Sequence, residues 1–264
     1  MFDTVQYFRG MPVLLILAAC LLAGCSTRQT ATMMSVPIIY SDSDIDPFAH
    51  LEESQKVTEA RVFYATNREP ASNTGKTHYG NSVDPDIHLG EAVVKMGRPE
   101  QSWDDLYRYS RGVDAADSMP IALREIRQIA SLDEGRVPET DSLPEGVRRF
   151  IDAINLELSN AADKEIMIYV NGTKVDFASS AILTAEIDHF AGRDFVSVAF
   201  AWPSHQNILA YLSGIDVRHA ISSSDALQSL LELLAEYTDA EHINLLAYSA
   251  GGKVSTRALY ELRQ

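Results

Sequence analysis

The sequence predicts an α/β fold with a mostly parallel sheet and helices on both faces. From Lys164 onward, three short apolar runs alternate with three helix-like stretches. The run Glu165–Val170 is apolar without a period of two, which is typical of a strand buried on both faces of a parallel sheet. Strands and helices in alternation imply right-handed crossovers between parallel strands.

Composition restricts the classes of partner. The 264 residues suit one large domain with short appendages, and 46% apolar residues with a mean hydropathy of -0.09 indicate a full globular core. The net charge of -15 and pI near 4.8 argue against nucleic acid and against a polybasic membrane patch, because both need a basic surface. We interpret the acidity as a solvated surface that aids solubility.

The N-terminus has the pattern of a secretion signal. Met11–Leu22 is apolar apart from Pro12 and is too short to span a bilayer comfortably. The residues Leu-Ala-Gly before Cys25 resemble the lipobox of bacterial lipoproteins. This resemblance implies cleavage before Cys25, acylation of its thiol and, with Ser26 next, an outer-membrane position facing the periplasm. The alternative is an ordinary signal anchor in which Cys25 is an incidental buried thiol.

We therefore divide the chain into three parts. Residues 1–24 are predicted to be a lipoprotein signal peptide, residues 25–55 a flexible tether, and residues 56–264 the folded domain. The tether prediction depends on its Thr, Ser and Asp content and on Pro37 and Pro47. The only other cysteine, Cys20, lies in the signal segment, so no disulfide is expected in the mature protein.

The first part of the domain has weaker patterns than the second. It is predicted to contain, in order, a strand at Arg61–Thr66, a long loop at Asn67–Asp86, a strand at Ile87–Met96, an element at Ile121–Ala130 that is ambiguous between strand and helix, a linker at Leu132–Leu143 and a helix opened by Pro144.

The second part is regular. After Glu165–Val170, strands are predicted at Asp194–Phe200 and Ile243–Ala247. Helices are predicted at Phe177–Phe190, at Ser222–Tyr237 with Ser224 as a candidate N-cap, and at Val254–Leu262.

Ser249 is the candidate nucleophile. It follows the third apolar run and is surrounded by the small residues Ala247, Ala250, Gly251 and Gly252. A strand that turns sharply into a helix around such a serine is a nucleophile elbow, which lifts the hydroxyl into solvent. The backbone N–H of Ala250 would then point at a developing oxyanion. The alternative is a tight strand-to-helix turn without a chemical role.

Four short motifs carry a family resemblance over about Ala60 to the end. They are Val62–Arg68, Asn171–Lys174, Trp202–Ser204 and Tyr248–Gly251. These resemble the Val-Phe-Tyr-Ala-Thr-Asn-Arg, His-Gly-(Phe/Tyr)-Asn, Trp-Pro-Ser and His-Ser-Met-Gly motifs of a bacterial α/β-hydrolase family of uncharacterised function, in which Tyr211 and Asp216 also fit a Tyr…Asp pairing.

The resemblance implies an α/β-hydrolase-like fold and hydrolysis of acyl esters or amides by a serine. It also implies that the N–H of Thr173 is the second oxyanion donor. The chain departs from the family at Asn171, Thr173 and Lys174 in the oxyanion loop and at Tyr248 before the serine.

A base for Ser249 is not evident. Serine hydrolases of this fold take their acid and then their histidine from later in the chain, but only Glu261 and no histidine follow Ser249. His205, after Trp-Pro-Ser, is the candidate base because it follows a strand at the same sheet edge as Ser249.

Three hypotheses follow. The protein is a serine hydrolase-like protein of weak or no activity, a non-catalytic lipid-anchored envelope module for binding or structure, or a C-terminally shortened enzyme that lacks the last strands of the sheet. In the last case the outer edge of Ile243–Ala247 would be covered by the N-terminal segment, pair with another chain, or promote aggregation.

No cofactor or metal is expected. The sequence contains no phosphate loop or dinucleotide fingerprint. Asp84 and Asp86 flank Pro85, and two carboxylates without a histidine partner are interpreted as a solvated turn. The small acyl substrate is not identified by the sequence.

Overall fold

The computed structural model describes residues 30–41, 44–71, 79–113, 118–138, 143–205 and 215–263. The strands in this part of the chain are β1 (Thr30–Thr32), β2 (Glu59–Pro70), β3 (Tyr79–Met96), β4 (Pro120–Leu132), β5 (Glu165–Val170), β6 (Val196–Phe200) and β7 (His242–Ala247). The α-helices are α1 (Ile38–Ser41), α2 (Trp103–Ser110), α3 (Glu145–Asn160), α4 (Phe177–Phe190), α5 (Ile215–Tyr237) and α6 (Gly251–Glu261).

The seven strands form one mixed sheet in the order β1-β4-β3-β2-β6-β5-β7. Strands β2, β6, β5 and β7 pair in parallel, whereas β1, β4, β3 and β2 pair with antiparallel neighbours. The α/β hydrolase-like fold class is confirmed, and its parallel half comes from the regular alternation after Lys164. The antiparallel half consists of the long β2–β3 hairpin and β4.

Helices cover both faces of the sheet, as predicted. On β5, Ile166 and Ile168 pack in one apolar cluster with α3, α5 and α6. Met167 and Tyr169 point to the opposite face and are also buried. A second cluster on that face contains apolar side chains of α2 and α4. Burial on both faces explains why the strand has no period of two.

Several boundaries differ from the sequence prediction. The predicted loop Asn67–Asp86 is wrong at both ends, because β2 continues to Pro70 and β3 begins at Tyr79. The ambiguous stretch Ile121–Ala130 lies within β4. These strands extend beyond their apolar cores because antiparallel pairing continues along the hairpin through register shifts.

The starts of α5 and α6 also differ from the sequence prediction. Helix α4 has the predicted bounds, and the Asp176 side chain accepts a hydrogen bond from Ser179 N at 2.8 Å. Helix α5 begins at Ile215, so Ser224 is not its N-cap; the Ser224 hydroxyl instead donates to Ala220 O at 2.8 Å within the helix. Helix α6 begins at Gly251, earlier than predicted.

Part of the predicted tether packs on the domain. Met33, Phe48 and Leu51 are buried, and Met34 N donates to the Glu186 carboxylate at 2.7 Å. Strand β1 pairs with β4, at the opposite edge of the sheet from β7. The described N-terminal residues therefore do not cover β7.

Strand β7 is the other edge of the described sheet, and its residues alternate between exposed and partly exposed. Association through this edge stays a prediction. The predicted signal peptide and Cys25 lie outside the described residues. Among the helices in the described ranges, none is both long enough and apolar enough to cross a membrane.

Candidate active site

Ser249 lies in the turn between β7 and α6. It has a φ of 53°, in the left-handed region that side-chain-bearing residues seldom adopt. Gly251 N donates to Tyr248 O at 2.9 Å and Gly252 N to Ser249 O at 3.0 Å, which closes the turn into the helix. The residue is exposed. This is the strand–turn–helix geometry expected of a nucleophile elbow, and backbone strain of about 1–3 kcal/mol is common at functional sites.

The turn is packed against the loop that follows β5. A Cβ added to Gly251 would lie 2.4 Å from Val170 O and 2.6 Å from Asn171 O, so no larger residue fits. A Cβ added to Gly172 would lie 3.3 Å from Ser249 Cβ. The predicted oxyanion loop is therefore next to the serine.

Two backbone donors remain open at this junction. Within the described ranges, neither the N–H of Ala250 nor that of Thr173 donates to a protein acceptor. Both residues are partly exposed. Ala250 also directly precedes α6, whose N-terminus favours negative charge. These two N–H groups are therefore the candidate donors, and their role as the oxyanion hole stays a prediction.

The predicted oxyanion loop, which follows β5, is held by the other two motif segments. The buried Arg68 guanidinium donates to Val175 O and to Trp202 O, each at 2.7 Å. The Trp202 indole N–H donates to Asn171 O. The Ser204 hydroxyl donates to Val175 O at 2.9 Å. The sequence motifs at Val62–Arg68 and Trp202–Ser204 thus act on the loop, although neither contains the nucleophile.

The family departures leave one polar atom without a partner. The Asn171 amide donates from Nδ2 to Gly172 O at 2.8 Å. Its Oδ1 is buried and, among the described residues, has no hydrogen-bond partner. An unsatisfied buried acceptor typically costs about 1–3 kcal/mol. Lys174, three residues after Asn171, also has a positive φ, of 62°.

The structure places His205 beside His219. The two rings lie 5.0 Å apart between centroids, and His219 Nδ1 lies 3.0 Å from Pro203 O. Strand β5 separates the β6 end that carries His205 from β7, a gap of two strand spacings of about 4.8 Å each. The surface groove lined by Ser249 does not include His205. Its role as base stays a prediction.

Other described histidines are engaged elsewhere. His88, on β3, contacts Asp84 and Gln128 at 3.2 Å each. The strands β2, β6 and β5 lie between β3 and β7, so this carboxylate–imidazole pair is far from Ser249. Sequence reasoning missed the pair because the spacing of Asp84 and His88 along a strand does not by itself bring two side chains together.

A second pair that the sequence did not indicate is buried. His189 Nε2 lies 2.7 Å from the Ser110 hydroxyl, and its Nδ1 lies 3.2 Å from the Arg193 guanidinium. Burial lowers the pKa of His189 well below its ordinary value, so the ring is neutral. Phe48 stacks on it with centroids 4.8 Å apart. The contacts are those of a core histidine with a packing role.

The remaining histidines of the described ranges do not approach Ser249 either. His50 pairs with Asp194, and His242 begins β7 at the end opposite to Ser249. His78 and Tyr211 fall outside the described residues, as does the side chain of Asp216. In the described ranges no group of three or more His, Cys, Asp or Glu side chains could hold a metal ion.

Comparison with protein-family models gives a match. A family model described as alpha/beta hydrolase of unknown function (DUF900) matches residues 149–264. The matched part runs from α3 through β5, β6 and β7 to the end and includes the turn at Ser249. Neither the curated proteins nor the solved structures gave a match. The family match agrees with the fold class that the sheet shows.

Proposed function

We propose that the domain is a serine hydrolase-like protein that acts on acyl esters or amides through Ser249. The observation that carries this proposal is the strained Ser249 backbone between β7 and α6, packed against the loop of Gly172. The exposed side chain can reach an external carbonyl. The match to a hydrolase family over residues 149–264 supports the same chemistry.

In this mechanism Ser249 Oγ bonds to the acyl carbon, and the carbonyl oxygen becomes an oxyanion that the N–H groups of Ala250 and Thr173 stabilise. The bond from the acyl carbon to the leaving oxygen or nitrogen then breaks. The leaving group takes up a proton, balancing the one lost from the serine hydroxyl. Water hydrolyses the acyl-serine to a carboxylic acid and restores Ser249.

We propose that turnover is slow in this chain. No imidazole in the described ranges contacts the Ser249 hydroxyl. Without a base the serine hydroxyl stays protonated. Serine hydrolases that lack a member of the triad keep only the catalysis due to the oxyanion hole and substrate binding, a rate about 10³–10⁴ times that in water.

The test is hydrolysis of p-nitrophenyl acetate and butyrate by wild-type protein and by Ser249→Ala, with intact-mass detection of an acyl adduct. We expect a slow rate and an adduct, both absent in Ser249→Ala. A fast rate that Ser249→Ala abolishes would contradict the low turnover and would direct attention to His205, which His205→Ala then tests. Equal rates and no adduct in either protein would reject the hydrolase proposal.

A second candidate is a lipid-anchored envelope module that keeps the fold without the chemistry. The unpartnered Asn171 Oδ1 favours it, because the loop there departs from the family in three positions. Its anchor would be the acylated Cys25. A normal thermal transition together with no Ser249-dependent acylation would support this candidate over the hydrolase.

A further inference from the structure

A surface groove runs from Ser249 along α6. Its cavity has a volume of about 810 Å³ and is lined by Ser249, Gly252, Lys253, Thr256, Arg257, Tyr260 and Glu261. A Cβ built on Gly252 meets nothing within 4 Å, so the floor next to the serine is open. The groove therefore offers space for a substrate that extends beyond the reacting carbonyl.

The groove is formed by one face of the helix. Lys253, Thr256, Arg257 and Tyr260 follow the helical spacing of three and four residues and are all exposed. Val254 and Ala258 are buried in the core and fix this orientation. Ser249 precedes Lys253 by four residues, so the serine stands at the start of the same face.

Two cations dominate the groove. In the part of the chain that the structure describes, Lys253 and Arg257 form neither an ion pair nor a hydrogen bond through their side chains. Among the described residues that line the groove, Glu261 is the single acid. The protein has 37 acidic against 22 basic residues, so its surface supplies many carboxylates with which they could pair. The adjacent N-terminus of α6 adds positive potential.

We infer that this groove binds an anionic group of the substrate, a carboxylate or a phosphate placed away from the scissile carbonyl. The inference rests on the proposed function, because it takes Ser249 as the attacking atom. Within α6, a rise of about 1.5 Å per residue puts Lys253 about 3 Å and Arg257 about 9 Å beyond Gly251, the first residue of the helix, which follows Ser249 by two residues. Both cations form charge-assisted hydrogen bonds with such oxygens, and the arginine fork can do so in a bidentate manner.

Two esters of equal length test the inference. Mono-4-nitrophenyl adipate and 4-nitrophenyl hexanoate have the same six-carbon acyl chain, and they differ in a terminal carboxylate against a methyl group. The extended adipate chain spans about 6 Å, slightly more than the helical pitch of about 5.4 Å. The measurement is the ratio of Ser249-dependent acylation rates for the two esters, at low and at high salt.

We expect the adipate ester to be preferred at low salt, and the preference to fall about tenfold in Lys253→Ala/Arg257→Ala because two charge contacts are lost. High salt should also reduce it, since the charges are exposed and screened within about 8 Å at physiological ionic strength. The matched control is Arg148→Ala/Arg149→Ala on α3, which changes net charge equally outside the groove and should leave the ratio unchanged. Equal drops in the two double variants would mean that only overall charge matters and would overturn the inference.

Failure of the proposed function can be distinguished from failure of the anion-site inference. If Ser249→Ala acylates or turns over both esters as the wild type does, the hydrolase proposal fails. The groove is then tested without chemistry, by titrating monomethyl adipate into Ser249→Ala protein and following chemical shifts by NMR. About tenfold weaker binding in the Lys253→Ala/Arg257→Ala background would uphold the anion site. Unchanged binding, or none in either background, would reject it.

Discussion

Arg68 connects the segments that hold the loop after β5, and its replacement is the most informative test of the fold. The residue is fully buried on β2. To acceptors within the described ranges its guanidinium donates five hydrogen bonds, which join groups far apart in the sequence: Ala201 O at 3.0 Å, Gly80 O at 3.0 Å, Asn81 Oδ1 at 2.8 Å, Val175 O at 2.7 Å and Trp202 O at 2.7 Å.

Arg68→Met keeps most of the side-chain volume and removes every donor. A hydrogen bond to a charged group contributes about 1.5–3 kcal/mol, but the five are not additive because some acceptors rebond to water. We expect a loss of about 3–5 kcal/mol in the free energy of unfolding. For a domain of this size that lowers Tm by about 6–20 °C. Arg68→Lys keeps the charge but a single ammonium cannot reach all five acceptors, so we expect an intermediate loss.

The measurement is urea and thermal unfolding followed by circular dichroism. The matched control is Arg61→Met on the same strand, whose side chain is 56% exposed and lies 3.9 Å from Glu157. That change should alter stability by about 0.5 kcal/mol or less. The reasoning is refuted if Arg68→Met is as stable as Arg61→Met. If Arg68→Met does not fold, the free energy of unfolding of Arg68→Lys is the test. It should be lower than that of the wild type but still positive.

Three further changes have defined outcomes. Gly251→Ala should destabilise the protein by about 2–4 kcal/mol, since its Cβ would lie 2.4 and 2.6 Å from two carbonyl oxygens, whereas Gly252→Ala should be neutral or stabilising; equal effects in urea unfolding would contradict this. Burial raises the pKa of Glu186 from an ordinary 4.5 to about 7, so its contribution to stability should be lost as pH rises from about 4.5 to 7. Glu186→Gln keeps an acceptor for Met34 N and should be more stable than wild type at pH 8 by about 1–3 kcal/mol, and an unchanged pH slope would exclude this cause. Cys25→Ala should release soluble or unprocessed protein from the outer-membrane fraction, and fractionation and migration like wild type would reject acylation.

The sequence by itself determined the parallel half of the fold. The bounds of β5 and α4, and those of β7 to within one residue, followed from apolar runs that alternate along the chain, because such runs mark elements that are buried on more than one face. The turn at Ser249 also followed, because only small residues allow so close an approach of strand and helix. The motif that contains Arg68 can be identified in the sequence, but the hydrogen bonds that Arg68 donates in the structure cannot.

Tertiary structure decided the rest. The extension of β2 and β3 beyond their apolar cores depends on pairing between strands, which leaves little trace in local composition. The pair His189–Ser110 joins two different helical segments, and the pair His88–Asp84 lies where the pairing of β3 with β2 shifts register. The pairing of β1 with β4 was likewise not predicted, since Thr30–Thr32 lies in the segment that the sequence predicts to be a tether. Local patterns specify which surfaces must be buried, and only the assembled sheet specifies which partners bury them.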